Sequence, residues 1–106
     1  MNIDRVRKLE KFRKEDPDDP FLIYALATEW MNENIHKSKQ YFDELLEHYP
    51  DYLGTYYHAA NLYITFGDRQ AAEKIFQDGI ALATKLEDQK TLSELTNAFN
   101  AFLYDD

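Results

Sequence analysis

Residues 55–80 read TYYHAANLYITFGDRQAAEKIFQDGI. Within them Tyr56, Ala59, Ala60 and Tyr63 recur at three- and four-residue intervals, Gly67-Asp68 interrupts, and Ala72, Ile75, Phe76, Gly79 and Ile80 resume the rhythm. Such intervals place side chains on one face of an α-helix, while Gly then Asp ends one helix and caps the next. The stretch is a helical hairpin. A second copy lies 34 residues upstream: Phe42 falls on Phe76, Leu45 on Gly79, Leu46 on Ile80 and Ser38 on Ala72. Ala27 and Trp30 answer Ala60 and Tyr63 at an offset of 33, so the first copy has one residue fewer, which is assigned to its turn. A fixed period of this size marks a solenoid, whose units bury their apolar faces only by stacking. Such an architecture presents a surface and performs no chemistry of its own.

Composition agrees and excludes several alternatives. A chain of 106 residues is expected to form one domain, 1–106, around one core. Eight tyrosines, seven phenylalanines and one tryptophan, against three glycines and three prolines, suit packed helices. Without cysteine there is no disulfide, thiolate metal site or Cys nucleophile. Asp4, Arg5, Arg7 and Lys8 break any apolar run at the start, so no signal peptide is expected. No stretch approaches the roughly 18 apolar residues of a membrane span, and a soluble, cytoplasmic protein is the expectation. Residues 1–14 carry six basic and two acidic side chains, a net +4, which leaves −12 of the total −8 on the rest. An acidic body repels phosphate backbones, so nucleic acid is not an expected partner.

Working outward, the remaining helices follow from period and punctuation. Ile3, Val6, Leu9 and Phe12 predict a leading helix over 3–15 with one narrow apolar stripe. Pro17 ends it at Asp16, and Asp19-Pro20 supplies a cap followed by proline at the first helical position. The first repeat, 20–50, is predicted as helices over 20–32 and 35–49 around Asn32-Glu33-Asn34. The second, 51–85, is predicted as helices over 52–66 and 69–85. A capping helix over 88–103 carries Leu92, Leu95, Ala98, Phe99 and Phe102, with Lys90, Glu94 and Asn97 on a polar second face. The tail Tyr104-Asp105-Asp106 is expected to fray.

These residues resemble the tetratricopeptide repeat family. Its units pair an aromatic or large residue, a small pair and an aromatic on the first helix with a Gly turn, then Ala, an aromatic and a small residue on the second, often with a closing Pro. The second repeat matches through Tyr56, Ala59-Ala60, Tyr63, Gly67-Asp68, Ala72, Phe76 and Gly79, with Thr84 in place of the proline. The first matches through Ile23, Leu26-Ala27, Trp30, Phe42 and Pro50, and departs in its shortened turn, in Ser38 for Ala and in Leu45 for a small residue. The resemblance covers about residues 20–85. It implies an all-α fold: a short right-handed α-solenoid of antiparallel helix hairpins, with an N-terminal helix and a C-terminal capping helix.

In that family partners bind the concave surface lined by the first helix of each pair. The resemblance therefore assigns a partner-binding groove to Phe21, Tyr24, Thr28 and Met31, and to Tyr57, Asn61, Ile64 and Thr65. Tyrosine and methionine offer large contact areas with a polar or adaptable end. The alternative is that some of these, Phe21 and Tyr24 first, pack beneath the leading helix. Some relatives clamp a peptide carboxylate with Lys and Asn; Asn61 stands at a matching place, but Tyr24 and Thr28 do not, so no such clamp is expected. An acidic body with tyrosines suits a basic or apolar segment. Arg5, Arg7, Lys8, Lys11, Arg13 and Lys14 give the leading helix two readings: docking on an anionic surface or partner helix, or packing on the first hairpin with its cations toward acidic neighbours.

No other chemistry is predicted. His36, His48 and His58 have no spacing that pairs metal ligands on one helical face. The run from Asp16 to Pro20 looks like a calcium loop, but its two prolines and missing glycine forbid that turn. No catalytic, cofactor-binding or metal residue is expected, so an enzyme is not. The expected function is a non-catalytic protein–protein interaction module or adaptor binding a peptide or helix in its groove. The alternative is a self-associating structural protein, a homodimer through the N-terminal helix or an exposed apolar face.

Overall fold

In the computed structural model, which describes residues 1–105, six helices form: α1 (Ile3–Glu15), α2 (Pro20–Trp30), α3 (Ile35–His48), α4 (Thr55–Thr65), α5 (Arg69–Lys85) and α6 (Gln89–Leu103). No strand occurs among the described residues. Asp106, the last residue of the expected tail, lies outside them. Most helix starts are set by a short polar side chain accepting a backbone N–H of the first turn. Asn2, Asp19, Asn34, Asp68 and Asp88 do this for α1, α2, α3, α5 and α6. Gly54, before α4, has no such side chain. That helix starts at Thr55, not at residue 52 as predicted, because Tyr52 is held in a turn by its N–H bond to the Tyr49 carbonyl. No helix among the described residues is long and apolar enough to cross a membrane.

The chain divides into two compact units, Met1–Tyr52 and the residues from Leu53 onward. In the first, α1 lies on α2, and Val6 and Leu9 join Leu22, Ala25 and Leu26 in one buried cluster flanked by Trp30 and Tyr41. The expected narrow stripe is corrected here. A three-residue interval lags the helical repeat by about 60° per step, so four such residues fan around half the helix. Only the middle two face α2, and Ile3 and Phe12 stay 56% and 49% exposed. Two cations of α1 reach acidic neighbours: Arg5 Nε pairs with Glu29 at 2.7 Å, and Arg13 pairs with Glu44 while lying over the Tyr41 ring. Val6, Leu9, Arg5 and Arg13 thus pack α1 on the first hairpin. The α2–α3 pair closes on the fully buried Ile23, Ala27, Phe42 and Leu45.

In the second unit, α4 packs on α5 and α5 on α6. At Gly79 α5 lies close against α4 and α6: a Cβ there would sit 2.6 Å from Tyr56 Cβ and 3.2 Å from Leu95 Cδ1. Phe76 stacks on Phe99 at 5.4 Å and meets Phe102 at 5.7 Å. Arg69 lies over the Phe102 ring, 4.2 Å from its centroid, and donates to the carbonyls of Phe102 and Asp105. The tail is thus tied down through Asp105, where fraying was expected, because the last carbonyls of α6 find a cation.

Repeat-equivalent residues have equivalent burial. Phe42 and Phe76, Ala27 and Ala60, and Ser38 and Ala72 are all fully buried. The missing residue of the first hairpin, however, is not in its turn. The α2–α3 connection has four residues and the α4–α5 connection three. The deletion instead shortens α2, which ends three residues past Ala27, whereas α4 runs five past Ala60.

Candidate partner-binding surfaces

The anticipated groove residues fall into two sets, one in each unit. On α2, Phe21, Tyr24, Thr28 and Met31 share a flank, since steps of three, four and three residues return to one side of a helix. Leu22, Ala25 and Leu26, which meet α1, occupy another flank. Phe21 stays 52% exposed, so the alternative that it packs beneath α1 is excluded. Tyr24 is half-buried for a different reason: it meets Phe42 edge-on at 6.5 Å and Tyr52 at 5.6 Å. Burial raises the pKa of the Tyr52 phenol, with Tyr24 and Asp19 adding to the effect. Thr28 turns its hydroxyl back onto the Ala25 carbonyl at 3.0 Å, and Met31 closes the helix as its C-cap. This flank offers Phe21 and one face of an aromatic cluster that sequence reasoning did not connect to Tyr52.

In the second unit the anticipated side chains meet a wall that the sequence reading assigned elsewhere. Tyr57, Asn61 and Ile64 lie on one flank of α4 and, with Ala98, Ala101, Phe102, Tyr104 and Asp105, line an open hollow of about 620 Å³. A second hollow of about 650 Å³ is lined by Tyr57, Glu94, Asn97 and Ala98. The two adjoin at Tyr57 and Ala98, so a shallow groove runs along α4 and α6. Tyr57 is 43% exposed and packs edge-on to His58 at 5.6 Å. Asn61 donates an amide N–H to the Tyr57 carbonyl at 2.8 Å, and Thr65 bonds the Asn61 carbonyl at 3.2 Å. His58 is half-buried, and that burial lowers its pKa below the ordinary 6.5.

The residues missed were those of α6. Glu94 and Asn97 are expected on the polar face of a cap, Ala98 on its apolar stripe and Asp105 in a fraying tail, and Ala101 is given no place. Their intervals of three and four mark a single helical face containing two alanines, and small residues leave room for a hollow beside α4. That spacing was the available signal. No group of His, Asp and Glu among the described residues could hold a metal ion.

No family model matches the chain, and no curated protein does. Solved structures do. A crystal structure of a tetratricopeptide repeat domain protein from Salinibacter ruber is 38% identical, with a TM-score of 0.80, over 84% of this chain and all of that one. A solution NMR structure of a tetratricopeptide repeat domain protein from the same organism is 41% identical, with a TM-score of 0.75, over 82% of this chain and 89% of that one.

Proposed function

The chain belongs to the tetratricopeptide repeat family, and we propose that it serves as a cytoplasmic adaptor, a non-catalytic module that takes a peptide or a partner helix against the first helices of its hairpins. Domains of this family are in general protein-interaction scaffolds. The observation that carries the finer reading is the α4–α6 groove, where Tyr57, Asn61 and Ile64 face Ala98, Ala101 and Tyr104 across an open hollow. Aromatic, small and amide side chains together give contact area with little entropy to lose, as recognition surfaces require. Phe21 and Tyr24 on the flank of α2 are a second contact region of the same kind. The reading is tested by Tyr57→Ala. Capture of a bound protein should fall by at least tenfold while the helical melting curve stays within a degree or two, because the side chain is outside the core. Undiminished capture by the variant removes the groove.

A second reading, self-association, draws on Ile3 and Phe12, two large apolar side chains left exposed on α1. Sedimentation across a dilution series separates the two readings: a monomer at every concentration rules out the homodimer.

A further inference from the structure

The α4–α6 groove carries charge of one sign. Its charged lining residues are Glu94 toward one end and Asp105 at the other, with Asn97, Asn61, tyrosine and apolar groups between them. Neither carboxylate has an ion-pair partner among the described residues. Arg69, which approaches the Asp105 end, has its guanidinium on the carbonyls of Phe102 and Asp105 and on the Phe102 ring. Asp105 also follows directly on the C-terminal end of α6, where the helix dipole favours positive charge. Tyr57 and the largely exposed Tyr104 add ring faces that attract a cation.

Resting on the adaptor reading, the geometry points to a basic segment as the groove's partner: an extended stretch with two Lys or Arg side chains, one for Glu94 and one for Asp105, separated by small apolar residues against Ile64, Ala98 and Ala101. Nine residues of helical rise, about 14 Å, separate Glu94 from Leu103 at the end of α6, and Asp105 lies two residues further on. An extended chain covers that distance in about four to six residues, and because alternate side chains face opposite ways the two cations stand about four or six positions apart. Asn61, with one N–H already given to the Tyr57 carbonyl, presents its Oδ1 to a backbone N–H of the segment. An acidic segment would place like charges at both ends of the groove and is selected against.

The test is a library of random twelve-residue peptides selected on the full chain, with the Tyr57→Ala chain as the counter-selection. Peptides lost on Tyr57→Ala are the groove's own. They should carry net positive charge with Lys or Arg about four or six positions apart, on one face of the extended segment. The double variant Glu94→Lys, Asp105→Lys should weaken such a peptide at least tenfold and turn the selection toward acidic sequences. Glu94→Gln, Asp105→Asn, which keeps shape and removes charge, should weaken it by a smaller factor and flatten its salt dependence. Groove-dependent peptides that are neutral or acidic, or that bind the charge-reversed chain equally well, overturn the basic-segment inference and leave the groove standing. If no selected peptide depends on Tyr57, the groove reading itself falls.

Discussion

The two hairpins share a pattern and fill the same contact differently, one with bulk on a single helix and the other with bulk on both. In α4–α5 a large residue, Tyr56, faces a glycine, Gly79, and a Cβ on that glycine would come within 2.6 Å of the tyrosine's own. At the corresponding positions of α2–α3 stand Ile23 and Leu45, both fully buried. Volume absent from one helix is present on the other, so the core stays dense in both. Their helix ends differ too. Because α2 stops early, the Met31 N–H turns to the Thr28 carbonyl and the Ala27 carbonyl loses its helical donor. Ser38 Oγ supplies one instead, at 2.7 Å and fully buried. The longer α4 keeps the Ala60 carbonyl inside the helix, and Ala72 needs no hydroxyl. Ser38 is therefore a repair of a shortened helix, and the comparison teaches that departures from a repeat pattern come in compensating sets.

The largest expected effect tests the exchange of bulk. Leu45→Ala should cost about 2–5 kcal/mol, because nothing across the contact can refill the space. Equilibrium urea denaturation measures it, and a loss well below that range would mean the first hairpin collapses around the change. The converse substitution, Gly79→Ala, should destabilise by about 1–3 kcal/mol despite alanine's better helix propensity, since the new methyl meets a Cβ and not a movable side-chain tip. Stabilisation by Gly79→Ala would show that α4 and α5 can move apart freely.

The helix-end repair comes next. Ser38→Ala should cost about 1–3 kcal/mol by leaving the buried Ala27 carbonyl without a donor. A thermal melt unchanged from that of the parent chain would end that explanation. Turn chemistry supplies a smaller contrast. Gly67 (φ 78°) and Glu87 (φ 59°) occupy the left-handed region with matching hydrogen bonds after α4 and α5. Gly67→Ala should lose about 1 kcal/mol from strain alone, as no atom lies within 4 Å of the added methyl. Glu87→Gly should recover a similar amount, about 1 kcal/mol, and paired denaturation curves shifting in opposite directions would confirm both.

The smallest effect concerns pH. His58 binds its proton less readily folded than unfolded, so between its lowered folded pKa and 6.5 the unfolded state holds more protons. Stability contributed by neutral His58 is whole above 6.5 and is lost as pH falls through that window. His58→Gln should flatten the decline in melting temperature over the window. A decline of the same slope in the variant assigns it to other groups.

Much of this was legible because helices announce themselves by period. The Phe42–Phe76 and Ala27–Ala60 equivalences needed only counting, and the caps Asp19 and Asp68 act within one turn of their own positions. That Tyr57, Asn61 and Ile64 share one side of α4 follows from the same period, while their assignment to a groove came from the family resemblance. The opposite wall was not legible. Whether the polar face of α6 met water or enclosed a hollow depended on where α6 docks, and Phe76, Phe99 and Phe102 decide that from two helices at once.

By itself the sequence determined the number of helices, the starts marked by Asp19 and Asp68, and the faces the two hairpins bury, because these depend on interactions within a few residues along the chain. Only tertiary structure decided that α1 buries Val6 and Leu9 but not Ile3 and Phe12, that Ser38 completes a neighbouring helix, and that Glu94 and Asp105 each line a hollow with Tyr57. Each of these is a relation between side chains of different helices, set by docking geometry that no interval in the sequence records.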